Sequence, residues 1–291
     1  MERPSAASSD GARLILYCVN PHAYELVRHW AERAGHHLSL IVTSPGPKRA
    51  RSTGYRQIIA QAPPEQDLLV TTGMRRTAPL LAALEPDLIL SFTLPFRLPL
   101  EVRTLPRHGA VNLHPAPLPA YRGPNPARMI FDGAPTLGAT LHRTAEEFDT
   151  GAILSRQEAP TPAAITRATV LEVWAALLRQ ALDEGVARAL ADEPGTPQEE
   201  AGASYAASFA PEERWLEWTL PATTLQRRAI ALNLFEVQAR AWIEGHAYLL
   251  DEAEALPEVA AALPGTVLQR AERTVTVQTG QGALRAVATA L

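Results

Sequence analysis

Cysteine is nearly absent: 291 residues hold only Cys18, so no disulfide can form within the chain. Its apolar neighbours in Arg13-Leu-Ile-Leu-Tyr-Cys-Val19 imply a buried thiol, in keeping with a reducing cytosol. No apolar run is long enough to span a bilayer, and no basic end leading into an apolar centre marks a signal peptide. A cytoplasmic protein without a membrane partner is expected. Cationic excess is also missing. A net charge of −4 excludes a wholly basic, nucleic-acid-binding chain, though not a local basic patch. There is no internal repeat and no long low-complexity tract. Nothing in the sequence bears on oligomeric state.

What is present is a core-forming chain, 46% hydrophobic and longer than one typical domain. Arg13–Val19 reads as a buried strand, His22–Ala34 as a helix stopped by Gly35, and Leu38–Thr43 as a second strand. That βαβ unit implies a parallel sheet. Further strands are expected at Asp67–Thr71, Asp87–Phe92, Gly109–Leu113, Gly138–Arg143 and Ala152–Gln157, and helices at Ala78–Leu84, Ala127–Asp132 and Thr169–Ala191. The acidic stretch that follows, with its prolines and glycines, reads as a linker. Beyond it, short strands with glycine turns suggest a small barrel or sandwich. The expected fold is therefore α/β: a doubly wound parallel sheet over 12–191, a linker over 192–204, and a small β-rich, open-barrel-like domain over 205–291. The loop Ser44–Arg56 carries Lys48, Arg49, Arg51 and Arg56, and reads either as a small anion-binding patch or as a solvated loop.

The chemistry concentrates after the strand ending at Leu113. There Asn112, His114, Tyr121, Arg122 and Asn125 lie in a proline-rich loop. In open α/β sheets ligands bind at the carboxyl ends of strands. Asn112 and His114 are two residues apart on extended chain, so both point to one side. An imidazole there can take a proton from an attacking group, while an amide donates to an oxygen that becomes negative. A carboxylate must then orient or charge-stabilise the imidazole, and Asp149 is the candidate. None of the three is a good covalent nucleophile, which favours direct transfer of an acyl-like group from a bound donor. His142 lies on the strand before Asp149. Without helical His spacing or a second carboxylate, no metal is expected.

Asn112-Leu-His114, then Leu118-Pro119 and Tyr121-Arg-Gly123, then Phe148-Asp-Thr-Gly151 resemble, in order and separation, the two signatures of the folate-dependent formyltransferases. Ala241-Trp-Ile-Glu-Gly245 and Pro264-Gly-Thr-Val267 resemble the small C-terminal domain of the two-domain members, which formylate methionyl-tRNA. The resemblance implies Asn112, His114 and Asp149 as catalytic residues and 10-formyltetrahydrofolate as formyl donor. It places the folate walls at Phe92, Leu94, Phe96 and Leu98, and at Thr144, Glu147 and Phe148. Tyr121, Arg122, Gly123 and Asn125 would contact the acceptor, although Arg122 is equally suited to bracing its loop.

Two departures bear on the acceptor. Pro124-Asn125-Pro126 stands where the tRNA enzymes have small residues, and this variant looks more like enzymes acting on amino-sugars or other small amines. The 205–291 region has more acids than bases, which is unfavourable for phosphate contacts. A small primary amine is therefore the expected acceptor ahead of methionyl-tRNA. Hydrolysis of 10-formyltetrahydrofolate by the same trio, and a catalytically silent binding protein, are the rival readings.

Overall fold

The computed structural model describes residues 11–47, 52–257 and 262–291. Packing divides the chain into two units whose segments alternate along the sequence. The first comprises 1–122, 138–158 and 174–204; the second comprises 123–137, 159–173 and 205–291. The second thus takes in two segments from the region expected to be wholly N-terminal.

The seven-stranded sheet has the order β3-β2-β1-β4-β5-β6-β7. Its strands are β1 Arg13–Cys18, β2 His37–Thr43, β3 Leu68–Val70, β4 Leu88–Phe92, β5 Ala110–His114, β6 Thr136–Arg143 and β7 Ile153–Pro160. β1 pairs in parallel with both β2 and β4, and β4 with β5. Near-continuous apolar runs explain this arrangement: Leu14 to Cys18 and Leu88 to Leu90 are fully buried, as strands covered on both faces must be. The parallel run ends at β5, which pairs antiparallel with β6. The sheet is therefore mixed rather than wholly parallel. The Cys18 thiol is fully buried, and burial pushes its pKa up to about 11.

Helices α1 Pro21–Ala34, α2 Gly54–Gln61, α3 Ala78–Leu84, α4 Leu100–Arg103, α5 Arg128–Asp132 and α6 Arg167–Leu190 alternate with these strands. α1 begins where the Asn20 side chain accepts from the backbone N–H of His22 and Ala23, and it ends in left-handed Gly35. α2 occupies the end of the expected basic loop. Arg56 lies on it, while Lys48, Arg49 and Arg51 fall outside the described residues. α6 sits close on β6. The Trp174 indole N–H donates to the Gly138 carbonyl at 3.1 Å. A Cβ at Gly185 would lie 2.7 Å from the Leu141 Cβ.

In the second unit α7 Ala222–Leu232 packs on a five-stranded antiparallel sheet of order β10-β11-β12-β9-β8. Its strands are β8 Arg240–Ile243, β9 His246–Leu256, β10 Val267–Ala271, β11 Thr274–Gln278 and β12 Ala283–Ala290. Alternation of Val275, Val277, Leu284 and Ala286 buries one face. Asn233 closes the helix end, accepting from the N–H of Gln238 and Ala239 and donating to the Leu250 carbonyl. Among the described residues no helix is long and apolar enough to cross a membrane.

The approach of α6 to β6 is testable. Gly185→Val should destabilise the protein by about 1–3 kcal/mol through overpacking against Leu141. The urea midpoint would report this, and an unchanged midpoint would refute the close approach.

Candidate active site

At the carboxyl end of β5, register determines who meets whom. Asn112 pairs with Ser91 of β4 on one side and with His142 of β6 on the other. The Ser91 hydroxyl donates to Asn112 Oδ1 at 2.7 Å. The amide's NH2 therefore faces the opposite way. It donates to His142 Nε2 at 3.1 Å and more weakly to Asp149 Oδ1 at 3.4 Å. His142 Nδ1 lies 2.8 Å from the Arg143 carbonyl, which can only accept. Nδ1 thus carries the proton and Nε2 offers its lone pair to Asn112.

His114 is assigned in the same way. Its Nε2 lies 2.9 Å from the Tyr121 carbonyl, so Nε2 is protonated in the neutral ring. Nδ1 is left basic and faces Asp149 Oδ1 at 3.5 Å. The Tyr121 carbonyl, rather than the carboxylate, orients the neutral imidazole. Asp149 can bond the ring only once Nδ1 gains a proton. Burial lowers the His114 pKa below that of an ordinary imidazole, and His142 lowers it slightly further. The Asp149 charge and the Tyr121 hydrogen bond oppose them in part. The ring is therefore an unprotonated base at neutral pH.

Asp149 is held where it is by an unusual backbone. Its φ is 57°, in the left-handed region that Asp tolerates better than most residues. Two residues on, Gly151 passes so close to Arg143 that a Cβ there would lie 1.7 Å from the Arg143 carbonyl oxygen. The Asp-Thr-Gly sequence thus answers two steric demands of one tight turn. The trio expected from sequence is brought together, with His142 as a fourth member that sets the amide's direction and Ser91 bonded to the amide oxygen. A polar serine in the apolar run Asp87–Phe92 and a histidine on the alternating strand were the available signals for both.

The expected folate walls also converge. Phe92 and Leu98 are buried, and Leu94 and Phe96 pack against the adjacent core. Thr144 bonds the Ala110 carbonyl through its backbone N–H and its hydroxyl. Arg97 joins the two stretches. It pairs with Glu147 at 3.0 Å, donates to the Glu146 carbonyl, and lies 6.0 Å from the centre of the half-exposed Phe148 ring. Arg97 thus ties the loop after β4 to the stretch before Asp149.

Of the residues expected to meet the acceptor, Arg122 is engaged within its own unit. Its guanidinium bonds Gln198 Oε1 and pairs with Glu200 at 3.1 Å. Tyr121 takes left-handed backbone at φ 59° and supplies the carbonyl that holds His114. Gly123 and Asn125 belong to the second unit. A Cβ on Gly123 would lie 2.6 Å from the Tyr205 ring, and the Asn125 amide donates to the Ala207 carbonyl at 3.1 Å. A separate cavity of about 470 Å³ opens at the ends of β2 and β3, lined by Pro45, Thr71, Thr72, Arg76 and Thr77 among others. Among the described residues no group of three or more His, Cys, Asp and Glu could hold a metal ion.

Fold and site together define an α/β transferase. The family model for formyl transferases matches residues 35–184, and that for the formyl transferase C-terminal domain matches 209–289. The methionyl-tRNA formyltransferase of Nitrosococcus oceani is 30% identical over 93% of this chain and 86% of its own length. HypX from Aquifex aeolicus, solved with tetrahydrofolic acid, shares the fold with a TM-score of 0.69 at 20% identity, covering 94% of this chain and 43% of that one. An N-formyltransferase from Helicobacter canadensis, solved with folinic acid and dTDP-3-aminofucose, gives a TM-score of 0.62 at 11% identity over 95% and 98%. The chain belongs to the folate-dependent formyltransferase family.

The geometry predicts a specific titration. Asp149→Asn removes the main charge that raises the His114 pKa, so the imidazole should titrate at still lower pH than in the wild type. NMR titration of the ring would show this shift. A pKa that rises or stays put would contradict the facing of Nδ1 and the carboxylate.

Proposed function

We propose that the protein transfers a formyl group from 10-formyltetrahydrofolate to the primary amine of a small molecule. 10-Formyltetrahydrofolate supplies the formyl carbon: the amine nitrogen bonds to it as the bond from that carbon to N10 breaks. Asn112 donates to the formyl oxygen as it gains negative charge. The long 3.4 Å contact to Asp149 is the bond that this oxygen replaces, while His142 Nε2 keeps the amide turned toward it. His114 Nδ1 takes the surplus proton of the attacking amine. Asp149 then accepts from the new Nδ1–H and stabilises the imidazolium. The amine gives up one proton and the departing nitrogen takes one, so the ring ends the cycle neutral. Phe92, Leu94, Phe96, Leu98, Thr144, Glu147 and Phe148 would border the donor, and Tyr121 would shape the approach of the acceptor.

The choice of a small amine rests on charge. In the second unit Arg128 and Arg270 pair with Glu213 at 2.6 Å and Glu244 at 2.9 Å, and Arg285 pairs with Glu254. Binding a whole tRNA requires many unpaired cations, each releasing counterions from phosphate. Methionyl-tRNA is the second reading, supported by the relative from Nitrosococcus oceani, which aligns along most of this chain.

Two assays follow. Asn112→Ala should lower turnover on the order of a hundred- to a thousandfold with little change in donor affinity. His114→Ala should cost at least roughly a hundredfold. Turnover within a few-fold of wild type in both would remove the trio from the mechanism. Screening amino-sugars, amino acids and initiator methionyl-tRNA with 10-formyltetrahydrofolate then decides the acceptor. Efficient formylation of the tRNA, with tight and steeply salt-dependent binding, would establish the second reading. Formate release without any acceptor would mark a hydrolase.

A further inference from the structure

The stretch 192–204, which reads from sequence as a passive linker, is bonded into the first unit. Thr196 bridges to Ile153, with N–H to carbonyl distances of 2.7 and 2.8 Å in the two directions. Two residues on, the Gln198 side chain uses all of its hydrogen-bonding capacity. Its NH2 donates to the Asp149 carbonyl at 2.9 Å and to the Gly151 carbonyl at 2.8 Å. Its Oε1 accepts from Arg122 Nε at 3.1 Å and Nη2 at 2.9 Å. Glu200 takes the rest of the Arg122 fork, at 3.1 and 3.2 Å. Ser204 completes the set: its carbonyl accepts from the Arg122 N–H and its hydroxyl from the Tyr121 N–H, each at 2.9 Å.

One amide therefore spans two loops. The first holds Asp149 in left-handed backbone. The second presents the Tyr121 carbonyl that fixes His114. No other bond in this set reaches both. We propose that Gln198, braced by Arg122 and Glu200, is a positioning residue that sets the separation of His114 from Asp149. Arg122 thereby acts on the site through Gln198 rather than by touching the acceptor. The inference rests on the acid–base reading of His114 and Asp149 given above.

The chemistry makes Gln198 hard to replace. Glutamate would turn an anionic acceptor toward two carbonyl oxygens. Asparagine keeps the amide but falls one methylene short of spanning the loops. Alanine removes the tie.

The test compares Gln198→Ala, Gln198→Glu and Gln198→Asn with wild type, using steady-state kinetics, melting temperature and NMR titration of the His114 ring. The charged and titratable groups facing that ring are Asp149 and His142, with the Tyr121 carbonyl on Nε2. Each variant should lower kcat about tenfold or more, with the KM for 10-formyltetrahydrofolate within roughly twofold. In Gln198→Ala and Gln198→Asn the ring should titrate at lower pH than in wild type, because the untied turn lets the carboxylate draw away from it. Should alanine prevent folding, asparagine is read in the same way. Wild-type kcat together with an unchanged ring titration in a folded variant would overturn the proposal. The titration needs no turnover, so the two readings can fail separately. Loss of the acid–base reading would appear as normal turnover in His114→Ala, and loss of the clamp as a normal ring titration in the Gln198 variants.

Discussion

A half-buried amide walled in by two neighbouring strands needs partners, and the end of β5 is built around that constraint. Asn112 stands where the parallel part of the sheet gives way to the antiparallel β6, so its neighbours on the two sides differ in kind. The parallel neighbour contributes Ser91, a hydroxyl donor, and the antiparallel neighbour contributes His142, a lone-pair acceptor. Between them they leave only one orientation for the amide, with its hydrogens toward Asp149. Reversing the amide would set its oxygen against the His142 lone pair, which the Arg143 carbonyl holds in place, whereas the serine hydroxyl could turn to accept. The direction in which the site can donate is thus decided by strand register.

His114 shows the same economy. Two residues further along the strand, it is held from behind by the Tyr121 carbonyl, which places the proton on Nε2 and the lone pair on Nδ1. The carboxylate that faces Nδ1 does not bond the resting ring, and is ready to bond its protonated form. Burial keeps the resting ring uncharged. The pair is therefore suited to accepting a proton from an incoming ammonium-derived amine and stabilising it for the length of the reaction.

The acceptor is governed by different physics from the transfer step. Formyl transfer depends on a few atoms at one strand end. Recognition of a tRNA would depend on long-range cationic surface, and in the second unit Arg128, Arg270 and Arg285 are each balanced by a nearby glutamate. Likeness to methionyl-tRNA formyltransferases bears on the first of these far more directly than on the second.

Much of the fold was legible in the sequence. The apolar runs and the Gly35 stop mark most strands and helices of the first unit to within a few residues, because burial and helix ends impose local patterns. That Asn112, His114 and Asp149 belong to one cluster was legible as well, from the order and separation of the two motifs that carry them. The antiparallel turn into β6 was not legible: the alternation of Gly138–Arg143 shows a strand but not its direction. The pairing of His142 with Asn112, the proton positions on both rings and the work of Gln198 were hidden for a related reason. The Asn112–His142 and Gln198 bonds join residues 30 or more apart in the chain, and the proton positions depend on which carbonyl each folded ring meets. Local sequence thus determined the elements and the reactive side chains, through periodicity and side-chain chemistry. Only the tertiary structure decided which atoms face one another, because hydrogen-bond partners are chosen by register and loop closure.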